Sequence, residues 1–276
     1  MPNFSKMRTD KQHITSNRID VPSEFQSVFS HFYSAQNNTN QAITKTLLPN
    51  FQTIMVFSFG ATIHFNTVNN AQINLEKCIV LGPIKQPFDY TLSPGAEMLV
   101  ANFKDDAFYR FFSQVIISDL LPINPDALLN QNCFTNLWHL IKNETTNNRI
   151  NLILDFCKPY LKSSETAFEN FQKHKDNYTV FNPIKIIAQE TNQSERTIQL
   201  NHKKYFGYTA KEKSRYKRFT QAIELLQNQT SKINWFKIIE TCGYYDQSQL
   251  IHDFKHFTNY SPNQYLKFQQ DVCSAK

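Results

Sequence analysis

The chain has 276 residues, 41% hydrophobic and 14% aromatic, which is room for two ordinary domains that each bury a core. Only 5 glycines argue against a dinucleotide fold or a glycine-rich phosphate loop, and no apolar run reaches the roughly 18 residues of a membrane span. The net charge of +6 is uneven: residues 171–276 carry 16 Lys and Arg against 9 Asp and Glu, the rest 13 against 14, so an acidic partner such as nucleic acid is expected at the C-terminal end.

The start, MPNFSKMRTDKQHITSNR, is polar and lacks the apolar segment of a secretory signal, so residues 1–20 are expected to form a tail. PSEFQSVFSHFYSA then predicts a short helix from Pro22 and Ser23. FQTIMVFSFG and ATIHFN run apolar or alternate around Gly60, which predicts a hairpin. KCIVLGP is a strand stopped by Gly82 and Pro83, and YTLSPGAEMLVANF is two strands joined at Ser93–Ala96. Helix takes over in DDAFYRFFSQVI, with Phe108, Phe111, Phe112 and Val115 on one side, and two amphipathic segments follow around Cys133–Lys142 and Ile150–Lys162. A strand-rich domain over 21–162 is therefore expected, then a junction over 163–178, which is poor in aliphatic residues. A helical domain over 179–270 completes the chain. Strands first and helices afterwards indicate an α+β chain of two domains rather than a βαβ weave.

The helical part repeats one plan. PIKIIAQETNQSERTIQLNHKKYFGYT is a helix, a break near Thr191-Asn192 and a second helix capped by Ser194. INWFKIIETCGYYDQSQLIHDFKHFTNYSP is a helix broken at Gly243, followed by one capped by Asp246 with Gln249 at its third position. Between them SRYKRFTQAIELLQN is a longer amphipathic helix. The last short helix places Leu250, Phe254 and Phe257 on one stripe and Gln247, Ser248, Ile251, His252 and Lys255 on the other. A solvated face usually carries Glu/Lys pairs. Amides, a hydroxyl, imidazole and an apolar chain match instead the donors, acceptors and thymine methyl of the major groove. Helix-turn-helix, twice, in a basic domain is the pattern of a tandem DNA reader.

Over CGYYDQSQLIHDFKHFTNYSPNQY the chain resembles the AraC/XylS type of bacterial transcription regulators, and SERTIQLNHKKYFGYT with RFTQAIELL resembles that family's first motif and linker helix. Leu200 stands where the family often has Arg, His202 replaces a usual core Phe, Ala210 and Lys213 replace Pro and Tyr, and Asn259 stands for Gly. Carried over by position, the groove-facing residues are Arg196, Gln199, Leu200 and Lys203 on the first reading helix, and Gln247, Ser248, Ile251 and His252 on the second. Ser194, Lys204, Arg215 and Lys255 are expected on phosphates. The resemblance implies double-stranded promoter or operator DNA as partner, and RNA polymerase as well if the chain activates transcription.

The strand-rich half is similar to the cupin-like β-barrels with flanking helices that precede such readers, which implies effector binding in the barrel, homodimer formation, or both. Metal-dependent cupin chemistry needs several His with a carboxylate, and the strands offer only His64. Neither Cys78 nor Cys133 has a motif around it, and Glu97 and Asp89 lack a diagnostic spacing, so no catalytic residue, metal or cofactor is assigned. The 5 cysteines are scattered and never form CxxC, which suits a reduced, cytoplasmic compartment. Two rivals stay open. One is a small-molecule-binding or metal-independent enzymatic barrel whose helical domain binds protein. The other is an effector-free DNA binder whose barrel is filled by side chains such as Phe51, Phe57, Phe59, Phe65, Phe88 and Phe103.

Overall fold

The computed structural model describes residues 14–66, 72–114, 122–129, 131–174, 183–227, 233–268 and 272–273. Its first half is built on two five-stranded sheets. The strands are β1 (Ile14–Ile19), β2 (Phe29–Asn37), β3 (Ile43–Leu47), β4 (Ile54–Gly60), β5 (Ile63–Asn66), β6 (Gln72–Leu75), β7 (Cys78–Leu81), β8 (Phe88–Leu92) and β9 (Ala96–Phe103), with the two-residue β10 (Val272–Cys273) from the chain's end. One sheet runs β1-β2-β9-β4-β7 and the other β10-β3-β8-β5-β6. All pairs are antiparallel except β10 on β3.

The first sheet is covered on both faces, and this explains its sequence. Along β4, Ile54 and Val56 face the second sheet and share a core with its Ile63, Leu75 and Leu92 and with Ile84 from the loop after β7. Met55, Phe57 and Phe59 face the other way, onto helices. A strand buried on both sides reads as a continuous apolar run rather than an alternation. The helices are α1 (Ala107–Phe112), α2 (Pro125–Leu129), α3 (Cys133–Ile141) and α4 (Thr146–Cys157). Phe108, Phe111, Phe112, Phe134, Ile150 and Ile153 bury against Phe57, Phe103 and Val80, and Trp138 donates its indole N–H to the Ser58 carbonyl at 2.8 Å. Val115, read on the first of these helices, lies outside the described residues.

Two local expectations are corrected and one is shortened. Residues 14–19 are an edge strand paired with β2, within the stretch read as a polar tail. The short helix expected from Pro22 and Ser23 is a single 3-10 turn, Ser23–Phe25, before β2 begins, because the sheet claims Phe29 and Phe32. β4 and β5 are no hairpin: they sit in different sheets. The chain crosses between them at Gly60, which has φ of +67° and where a Cβ would collide with the Gly95 carbonyl.

The second half is helical: α5 (Thr166–Lys173), α6 (Pro183–Thr191), α7 (Glu195–Phe206), α8 (Ala210–Gln227), α9 (Trp235–Cys242), α10 (Gln247–Thr258) and α11 (Pro262–Phe268). Helix α5 falls inside the expected junction and packs Phe168 and Phe171 against Ile184, Ile198 and Tyr205. Among the described residues no helix is long and apolar enough to cross a membrane.

Arg149 ties the first half together. Its side chain is buried, donates to the Ile141 and Lys142 carbonyls at 3.1 Å each, lies over the Phe59 ring at 3.7 Å and pairs with Glu97. It thereby satisfies the C-terminal carbonyls of α3 and joins them to β9. Arg149→Ala should lower the unfolding free energy of this domain by roughly 3 kcal/mol, because Glu97 and two carbonyls lose their donor together. Urea unfolding followed by far-ultraviolet dichroism measures this.

Candidate nucleic-acid interface

Both helix-turn-helix units are capped as their residue types dictate. Ser194 Oγ accepts the Thr197 N–H at 3.1 Å and begins α7, and Gly207 ends it in the left-handed region. Asp246 accepts the Gln249 N–H at 2.8 Å and begins α10, while the Gln249 side chain reaches back to the Tyr245 N–H at 2.9 Å. Asn259 ends α10 with φ of 64°, taking the role a glycine would have.

The apolar stripes fix which side of each helix faces out. On α7, Ile198, His202 and Tyr205 are buried, so Arg196, Gln199, Leu200 and Lys203 are exposed along the opposite face. Leu200 is 60% exposed, an apolar side chain that packing against its own domain does not explain. On α10, Leu250, Phe254 and Phe257 anchor the helix in the core. Gln247, Ser248, His252 and Lys255 stand exposed, with Ile251 half-buried beside them. All eight expected base-edge residues therefore lie on outward faces.

Two of the four expected phosphate residues are engaged elsewhere. Arg215 turns into the interface between α8 and α10, where it pairs with the buried Asp253 and gives an N–H to His252 Nδ1 at 2.9 Å. Arg218 adds a second guanidinium on Asp253 at 3.1 Å. Lys204 reaches Glu165 at 3.0 Å and lies over the Tyr109 and Tyr205 rings at 5.0 Å each, which turns it toward α1 while it stays exposed. Hydrogen bonds to Tyr109 and Glu165 raise its pKa, and those from Tyr205, Lys204 and Tyr109 lower that of Glu165. Ser194 and Lys255 remain exposed at the start of α7 and the last turn of α10.

Asp253 was missed from the sequence, although its position held the signal. It follows Leu250 by three residues and precedes Phe254, squarely on the apolar stripe, and it is 1% exposed. A carboxylate there needs cationic partners, and the spacing of Arg215 and Arg218 puts both on one side of α8. The exposed aromatics Phe236 and Tyr245 on the second unit were missed as well.

In the barrel, a cavity of about 270 Å³ lies between the sheets. Its walls include Ile54, Val56, Phe65, Phe88, Met98 and Val100, and its polar end holds Arg18, His31, Asn50 and Asn102. Phe57, Phe59 and Phe103 pack onto the helices instead, while Phe65 and Phe88 form part of the cavity wall and leave a hollow between the sheets. His31 lies on β2 and is a second strand histidine beside His64; its Nδ1 meets Ser30 Oγ at 2.9 Å. His64 bonds Asn74 at 2.8 Å, and no group of three His, Cys, Asp or Glu placed to hold a metal occurs among the described residues.

Burial lowers the pKa of His202 to about 4, with the Tyr208 carbonyl, which accepts from Nδ1 at 2.8 Å, working against it. Burial and Arg18 likewise lower His31 to about 4. The unfolded chain binds these protons near pH 6.5 and the folded chain does not, so their contribution to stability is complete above that pH and is lost as pH falls toward 4. Each should account for about 3 kcal/mol at the acid end. The urea midpoint should fall across this window, and His202→Phe should flatten the fall for the helical domain.

Residues 187–267 match the family model described as a helix-turn-helix domain. No curated protein matches the chain. Among solved structures, the chain is similar to ToxT from Vibrio cholerae at 17% identity and a TM-score of 0.45, covering 86% of this chain and 98% of that one. A ToxT structure with an unsaturated fatty acid bound aligns at 14% identity and 0.42, covering 87% and 94%. An rmlc-like cupin protein from Desulfovibrio desulfuricans aligns at 12% identity and 0.27, covering 37% of this chain and 96% of its own. The C-terminal part of the chain, from within α6 to α11, is therefore a helix-turn-helix domain.

Proposed function

We propose that α7 and α10 enter successive major grooves of one operator, so that a single chain reads two half-sites about one helical turn, roughly 34 Å, apart. The observation that carries this is the pair of outward faces. Gln199 and Gln247 offer the donor and acceptor pair that suits adenine, Leu200 and Ile251 offer apolar contact to thymine methyls, and Arg196 and Lys203 suit guanine or phosphate. Ser194 and Lys255 make phosphate contacts at the rims, while Arg215 and Lys204 keep the internal roles described above.

The barrel is proposed to sense a small molecule. Its cavity approaches the roughly 300–1,000 Å³ of ordinary ligand sites, its wall is apolar, and Arg18 gives its polar end a positive charge. An apolar effector with an anionic or acceptor group fits that arrangement better than a sugar, which would need more polar partners. Homodimer formation through α3 and α4, and contact with RNA polymerase, complete the proposal for a cytoplasmic regulator. Leu140, 60% exposed on α3, favours the first of these.

Mobility-shift titration on a duplex selected from a random library, at several salt concentrations, tests the reading. Gln199→Ala and Gln247→Ala should each cost about 1–3 kcal/mol on that duplex and relax preference at one position. The salt slope should stay unchanged, because neither residue neutralises a phosphate. Equal affinity for all duplexes would rule out sequence-specific reading.

A further inference from the structure

The turn between β3 and β4 leaves the barrel and enters the DNA-reading domain. Leu48 and Phe51 are buried in the same core as Phe219, Leu250, Phe254 and Phe257. The Phe51 ring stacks on Tyr216 with centroids 4.5 Å apart, meets Tyr208 edge-on at 5.0 Å and reaches Phe257 at 6.3 Å. Those three rings come from different parts of the reader. Tyr208 follows α7 at the exit of the first unit, Tyr216 lies on the connecting helix α8, and Phe257 lies on α10 in the second unit. One ring supplied by another domain therefore touches all three pieces whose relative placement sets the distance between the reading helices.

The turn is held to do this. Phe51 has φ of 57°, a conformation a bulky side chain avoids unless its surroundings impose it. Its N–H donates to the Ile84 carbonyl at 3.0 Å, and Ile84 returns its own N–H to Gln52 at 3.0 Å. From the other side, Tyr216 donates its hydroxyl to the Pro49 carbonyl at 2.6 Å, Lys213 lies 5.6 Å from the Phe51 ring centre, and Lys85 pairs with Glu212 at 3.2 Å. Leu47 and Asn50, in the same short segment, form part of the cavity wall.

We infer that Phe51 is a positioning residue for DNA reading: its ring wedges between the two helix-turn-helix units and sets the spacing at which they engage their half-sites. The inference rests on the proposal that α7 and α10 occupy successive grooves. Packing of this density holds a fixed geometry, whereas a missing ring leaves the pieces free to settle at several angles.

The test uses full-length protein and a duplex selected in vitro by the unaltered chain. That duplex is compared with versions carrying one inserted base pair between the half-sites, or one half-site scrambled. The unaltered chain should lose roughly thirtyfold in affinity on the insertion, about one or two mismatches' worth of discrimination. Phe51→Ala should bind the parent duplex about tenfold more weakly yet lose less than roughly threefold on the insertion, with binding to each single half-site unchanged. Phe51→Leu, which keeps apolar volume, should fall between. A Phe51→Ala protein that keeps the full insertion penalty overturns the inference, as does one that loses half-site binding as well, because the ring would then only support the fold. If the unaltered chain protects a single groove, the two-groove proposal fails first and the inference falls with it.

Discussion

A carboxylate enclosed between two helices is the contact on which the second reader depends. Asp253 is almost wholly removed from water, and the guanidinium groups of Arg215 and Arg218 meet it from α8. A buried charge left without partners destabilises a fold strongly, so α10 can seat its apolar stripe only where both arginines can reach. Such an arrangement adds little net stability over an apolar substitute, but it admits few geometries. It fixes the rotation of α10, and with it the direction in which Gln247, Ser248 and His252 point. The bond from Arg215 to His252 extends the same network to the outward face of α10.

The first reader is tied differently. Glu165, beside α5, takes hydrogen bonds from Tyr109 on α1 at 2.9 Å and from Tyr205 on α7 at 2.7 Å, and an ion pair from Lys204. The α7 helix is thus attached to the strand-rich domain near its C-terminal end, while Arg196, Gln199 and Lys203 stay in solvent. The second attachment is the Phe51 turn, at the joint between the two units. These two contacts differ in chemistry, one charged and exposed, one aromatic and buried, and both join the helical domain to the strand-rich one. Salt screens the first far more than the second.

Much of this was legible in residue order because it follows from local rules. Ser194, Asp246, Gly243 and Asn259 are capping residues wherever a helix starts or stops, and they did so here. The stripes of Ile198 on α7 and of Leu250 and Phe254 on α10 announced which side would be buried, and so which would be free. The barrel was harder. Strands buried on both faces lose the period of two, so β4 and β5 looked like a hairpin although they belong to opposite sheets. The segment PSEFQSVFSHFYSA was expected to begin as a short helix, and its later part, with Phe29 and Phe32, went to the sheet instead.

The amino-acid order by itself determined the division into strand-rich and helical halves, the caps, and the chemistry displayed on the outward faces of α7 and α10, since each depends on neighbours within a few turns. Only the folded chain decided that Arg215 and Lys204 serve internal partners, that the barrel keeps a hollow, and that Phe51 belongs to the reader's core. Those outcomes depend on groups up to two hundred residues apart. Which cation meets which carboxylate, and where a ring finds its hole, is settled by packing in three dimensions, where period and propensity carry no information.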